Sequence, residues 1–156
     1  MTSGFHVTYA KNADSIRQNG IITTNDQDWQ QKRKDLRKKV DSYARENFDN
    51  WINRENAVFF WTCIEDALKY IERQLQYPQQ SQHVVIVEVD LEGYDVGTAP
   101  YEFVEEMYRS WMNDESIQNY LEEVQNKTSP WDGSIQSNQE LWCQSPIDSE
   151  DIVEIN

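Results

Sequence analysis

A chain of 156 residues with 38% hydrophobic and 12% aromatic side chains, including six Trp, is long enough for one domain with its own core and too aromatic to be disordered. Its 28 Asp and Glu against 14 Lys and Arg give a net charge of −14, a field that repels nucleic-acid phosphate at long range. No stretch approaches the roughly 18 apolar residues of a membrane helix, the start lacks a basic-then-apolar leader pattern, and Cys63 and Cys143 are too few for a disulfide scaffold, so the chain reads as a cytoplasmic protein.

Phe5 to Tyr9 predicts a short strand. Asn12 then suits the N-cap of a helix whose buried anchor is Ile16, and Gly20 suits the left-handed position that ends it. From about Asp28 to Arg54 a long helical region is expected. Trp29, Leu36, Val40, Tyr43, Phe48, Trp51 and Ile52 mark its apolar stripe. Lys32, Arg33, Lys34, Arg37, Lys38 and Lys39 fall mainly off that stripe, toward solvent. This cluster is either a solvated helix face or a contact for nucleic acid or an acidic partner.

Ala57 to Thr62 is a compact apolar run, expected as a buried strand. On it Phe59 and Trp61 share one face and Phe60 the other. Glu65 to Tyr77 predicts a helix carrying Ala67, Leu68, Ile71 and Leu75 at helical spacing, with Pro78 beyond. His83 to Leu91 is the clearest strand, β-branched and partly continuous. Gly93 and Gly97 mark loops, and 101–112 and 116–124 read as two acidic helices. A loop with Pro130 and Gly133 is expected over 127–139, then short closing strands at 140–144 and 152–155. The charge divides along this order, with 12 Lys and Arg against 11 Asp and Glu up to residue 87 and 2 against 17 from there on. One α+β domain spanning 1–156 with a small central sheet is predicted, and the acidic second half offers a docking surface for a basic partner.

For chemistry, His6 at the end of a strand, an aromatic strand leading into a helix with Tyr70, and Glu140 on a late strand follow one another in order. A carboxylate can stabilise the oxocarbenium-like centre formed when a nicotinamide–ribose bond breaks. An aromatic wall can stack the planar base, and a neutral His can fix a ribose hydroxyl. Such a site needs no phosphate-cradling loop, and the chain has neither G-x-G-x-x-G nor G-K-[ST]. Each residue also has a plainer reading: His6 as a bonded strand His, Phe59, Phe60 and Trp61 as core, Tyr70 as helix packing, Glu140 as one acid among many. No zinc-ligand spacing occurs, and a Cys–His nucleophile pair would rest on isolated residues.

These segments carry a resemblance. Phe5-His6-Val7-Thr8, Asn12, Ser15-Ile16 and Asn19-Gly20-Ile21, then Val58-Phe59-Phe60 with Ala67 and Tyr70, then 84–91 and Glu140-Leu141-Trp142-Cys143 with Ile147 and Ile152, resemble the ADP-ribosyltransferase superfamily. The likeness is to its His-Tyr-Glu type, which includes poly(ADP-ribose) polymerases and diphtheria-toxin-like domains. It covers a third to a half of the chain, leaving the 28–56 helical insertion and the acidic 100–127 region without counterpart.

The resemblance implies split small β-sheets with surrounding helices, and NAD as substrate. It makes Glu140 the catalytic carboxylate, assisted by His6. It places His6 on the adenosine-side ribose, the Val7 backbone on the nicotinamide amide, and Phe59 and Tyr70 on the aromatic walls, with Thr8 and Trp61 among the NAD-binding residues. The implied reaction releases nicotinamide and transfers ADP-ribose to a macromolecular acceptor, as toxins or defence proteins do, with an antitoxin among the conceivable partners. The alternative is a non-catalytic NAD- or ADP-ribose-binding or protein-interaction domain of the same fold. An RNA 2′-phosphotransferase relative ranks lower, since only Lys11 and Arg17 supply cations near the cleft segments. Two departures bear on this: Phe59 stands where the family has Tyr, and Ala67 where it has a nicotinamide-bonding Ser. Each lost hydrogen bond is worth roughly 0.5–1.5 kcal/mol.

Overall fold

The computed structural model describes residues 2–22, 31–74, 83–110, 113–127 and 138–156. Trp29, Leu75, Tyr77, Pro78, Met112, Pro130 and Gly133 lie outside the described residues, as does the start of the region expected from Asp28.

The fold is α+β. Its elements are β1 (Ser3–Tyr9), α1 (Ala13–Asn19), α2 (Gln31–Asn47), β2 (Val58–Trp61), α3 (Ile64–Gln74), β3 (Val84–Asp90), β4 (Val96–Pro100), α4 (Tyr101–Arg109), α5 (Asp114–Glu123), β5 (Gln125–Lys127), β6 (Gln139–Cys143) and β7 (Ile152–Ile155). The strands run antiparallel to their neighbours in the order β5-β4-β6-β2-β1-β3-β7. The long β-branched run of β3 pairs with β1 along its whole length, from Ser3 with Asp90 to Tyr9 with Val84. By contrast, β1 meets β2 at the single register pair Phe5–Trp61. The seven strands thus form one continuous sheet rather than the two small sheets that the resemblance implies, and the β1–β2 junction is its narrowest seam, with β7-β3-β1 on one side and β2-β6-β4-β5 on the other.

Alternation along the strands sorts side chains into separate cores. Phe60 and Leu141 join Val58, Val87, Val89 and Leu91 beneath α1, whereas Trp142 turns to the opposite face beneath α2, α4 and α5. Leu36, Val40 and Ala44, four apart on α2, are fully or almost fully buried in that second core, while Tyr43, Phe48, Trp51 and Ile52 pack around it.

Several sequence expectations need correction. The helix ends at Asn47 rather than near Arg54, because Asp41 draws the following segment back over it. The buried Asp41 carboxylate accepts from Trp51 Nε1 at 2.8 Å, Arg54 N at 2.8 Å and Glu55 N at 3.0 Å. Asn12 stands at the N-cap position without capping, its side chain donating instead to Thr8 Oγ1 at 3.1 Å. Leu68, expected with the apolar face of α3, is 51% exposed. Lys127, expected to open a loop, is the last residue of β5, whose pairing with β4 takes in 125–127.

Gly97 belongs to β4 rather than to a loop. Its missing side chain lets the Trp142 indole lie on the strand, where a Cβ would come within 2.3 Å of Cζ2. Gly20 does end α1 as expected, with φ +74°, and here too the neighbour dictates the residue. A Cβ on Gly20 would sit 1.9 Å from the Ile147 carbonyl oxygen. That carbonyl accepts from Ile21 N at 2.9 Å, and Ile147 N donates back to Ile21 O at 2.8 Å.

Candidate functional site

Where β1 and β2 part, they leave a cleft of about 810 Å³, within the roughly 300–1,000 Å³ of small-molecule sites. Because the strands diverge, side chains from both faces of the sheet reach it. His6, Val7, Thr8, Ile16 and Ile21 approach from the β1–α1 side, and Phe59, Trp61 and Glu140 from β2 and β6. All seven residues expected from the sequence to hold ligand or do chemistry, namely His6, Val7, Thr8, Phe59, Trp61, Tyr70 and Glu140, line this one cleft. Ala67 is fully buried in the small core around Trp61.

His6 bridges the seam. Its Nδ1 lies 2.8 Å from the Phe59 carbonyl oxygen, beyond the one register pair that the two strands share. A carbonyl only accepts, so Nδ1 carries the proton, and in the neutral ring Nε2 is the acceptor. Burial pushes the His6 pKa below the usual histidine value, and the bond to the Phe59 carbonyl offsets this only in part. The imidazole also packs against Phe60, centroids 5.7 Å apart, which fixes its plane from the core side.

The aromatic wall comes from three elements. Trp61 stacks edge-on with Tyr101 of α4 at 4.8 Å and tilts against Tyr70 of α3 at 5.6 Å. Both helices are tied to the strand that carries Glu140. Asn138, with φ +53°, donates its N–H to Asp66 Oδ2 of α3 at 2.6 Å, while its carbonyl accepts from Tyr101 N at 2.9 Å. Glu140 pairs in register with Trp61, which puts its carboxylate on the Trp61 side of the sheet.

Beneath the carboxylate lies a feature that the sequence does not announce. Arg54 Nη1 forms an ion pair with Glu140 Oε1 at 2.6 Å, and the two side chains are 1% and 12% exposed. The same nitrogen donates to the Tyr120 hydroxyl at 2.8 Å. The guanidinium carbon lies 5.0 Å from the ring centres of Phe59 and Trp142 and 5.3 Å from that of Tyr120. Burial works against the Arg54 charge but is outweighed, chiefly by Glu140, and its pKa lies well above the usual value. Burial likewise pushes the Tyr120 hydroxyl up, so it stays a neutral partner.

Arg37 is the second correction at the site. Expected on a solvent face, it is 4% exposed, lines the cleft, and lies with its guanidinium carbon 4.5 Å from the Phe59 ring centre. The signal was present: Leu36, Arg37, Val40, Asp41 and Ala44 are the positions one buried helical face takes, and two of them are charged. Lys38 does face solvent, and Lys39 pairs with Asp114 of α5 at 3.0 Å. Tyr101 and Tyr108, which also line the cleft without having been expected there, belong to the acidic α4.

The cysteines form no nucleophile pair with His6. Cys63 Sγ donates to Asp66 Oδ2 at 3.1 Å and Cys143 Sγ to the Ser145 carbonyl at 3.6 Å, and burial raises both thiol pKa values. Among the described residues no three or more His, Cys, Asp or Glu side chains gather to hold a metal ion, and no helix is long and apolar enough to cross a membrane. No family model and no curated protein matches the chain.

Proposed function

We propose that the cleft binds NAD and cleaves its nicotinamide–ribose bond, passing ADP-ribose to a macromolecular acceptor. The observation that carries this reading is a neutral His6, with Nε2 as its acceptor, and a Glu140 carboxylate lining one cleft from the two sides of a sheet seam. In this reading His6 Nε2 accepts from a ribose hydroxyl, and the backbone at Val7 and Thr8 meets the nicotinamide amide. Trp61, Tyr70 and the edge of Phe59 wall the base. As the bond from C1′ to the ring nitrogen breaks, its electron pair leaves with nicotinamide. The Glu140 carboxylate then stabilises the positive charge left on the ribose. An acceptor oxygen or nitrogen bonds to C1′ and gives up its proton to solvent water. The resemblance places such activity among cytoplasmic toxins and defence proteins, whose partners include an acceptor and a neutralising protein.

Nicotinamide release from labelled NAD, with label followed onto protein or nucleic acid, tests the reading. Glu140→Gln should lower release by about 10²–10³-fold while the fold is kept. A parental rate in that variant removes Glu140 from the chemistry.

One observation favours a second reading, a domain that binds NAD or ADP-ribose without turnover. The Phe59 ring already carries two guanidinium groups within 5.0 Å, and Ala67 offers no hydroxyl to the amide. Calorimetric binding of both ligands without nicotinamide production would select it.

A further inference from the structure

We infer that Arg54 is a positioning residue, an internal cation that fixes where the Glu140 carboxylate stands in the cleft, and that Tyr120 of α5 holds it there. This role rests on the transferase reading. Arg54 does not line the cleft, so it acts through Glu140 rather than on a ligand.

Its own position is set by several contacts, although Nη2 is buried without a hydrogen-bond partner. Asp41 Oδ1 accepts from its backbone N–H at 2.8 Å, the Tyr120 hydroxyl accepts from Nη1 at 2.8 Å, and the Phe59, Tyr120 and Trp142 rings surround the guanidinium. Its side chain is only 1% exposed to bulk solvent. A charge pair removed from water is strengthened by the low local dielectric. A free glutamate side chain samples several rotamers. One whose Oε1 stands 2.6 Å from a fixed cation is confined to rotamers that keep this contact, and in the one present Glu140 lines the cleft. The acidic α5, which has no counterpart in the resemblance, thereby gains a function, since its Tyr120 is the far anchor of the arrangement.

Single-turnover nicotinamide release and calorimetric NAD affinity, measured on the full chain, test this. Arg54→Met should lower the rate about a hundredfold with Kd within about threefold, Arg54→Lys should recover much of that loss, and Tyr120→Phe should lower the rate severalfold. The decisive comparison is Arg54→Met combined with Glu140→Gln. A residue acting through Glu140 adds no further loss in that background, whereas an independent structural role multiplies the losses. Should Arg54→Met fail to fold, Arg54→Lys and Tyr120→Phe carry the same comparison. Multiplied losses, a parental rate in the Arg54 variants, or a loss lying wholly in Kd overturns the role while leaving the transferase reading intact. A parent protein that releases no nicotinamide overturns both.

Discussion

His6 and Phe59 are joined across the seam of the sheet by a side chain rather than by the backbone ladder, Nδ1 donating to the Phe59 carbonyl at 2.8 Å. The bond requires one ring tautomer, and burial favours the uncharged ring.

A pH dependence follows. The folded-state pKa of His6 is depressed below the unfolded value of about 6.5, so between those two values the unfolded chain binds more protons. The stability contributed by neutral His6 is present above the unfolded pKa and is lost as pH falls through the folded one. His6→Gln should therefore flatten the part of the stability–pH curve just below about pH 6.5. Chemical denaturation of both proteins across that range measures it, and parallel curves would show that His6 does not titrate as described.

Gly20→Ala should destabilise by roughly 1–3 kcal/mol from backbone strain alone. The added Cβ would also meet the Ile147 carbonyl oxygen at 1.9 Å, and backbone yields less readily than a side chain. The urea midpoint should fall with an unchanged slope. A midpoint equal to that of the parent would mean that the Ile21–Ile147 bridge is loose.

Asp41→Ala should destabilise by roughly 2–5 kcal/mol, because the donors of Trp51, Arg54 and Glu55 lose a shared charged acceptor. Asp41→Asn keeps an oxygen for Trp51 and Arg54 and sets its amide against Glu55 N, so its loss should be smaller. Thermal unfolding followed by Trp fluorescence orders the three proteins. Equal losses in the two variants would show that charge, rather than the acceptor geometry, is what Asp41 supplies.

How much of this was legible differs by residue. The β3 run and the apolar spacing of α2 announce themselves, because burial of a periodic face leaves a periodic sequence. His6, Phe59, Trp61, Tyr70 and Glu140 were readable as a set because their order along the chain resembled a known pattern, and the fold brings them to one cleft. Arg54 was not readable. It sits in irregular chain after α2, its backbone is placed by a carboxylate 13 residues earlier, and its side chain by a tyrosine 66 residues later. No local periodicity records such long-range partners. Gly97 misled for a related reason, since a glycine that accommodates an indole looks like one that permits a turn.

The Asn138 backbone, its N–H bonded to Asp66 and its carbonyl to Tyr101, makes a single residue the common anchor of two helices and of the strand bearing Glu140. The starts of α3 and α4, with the Tyr70 and Tyr101 rings they carry, are thereby coupled to the carboxylate before any ligand arrives. The entropy of assembling that wall is lost during folding instead of on association, and a small molecule entering the cleft meets a mould already set.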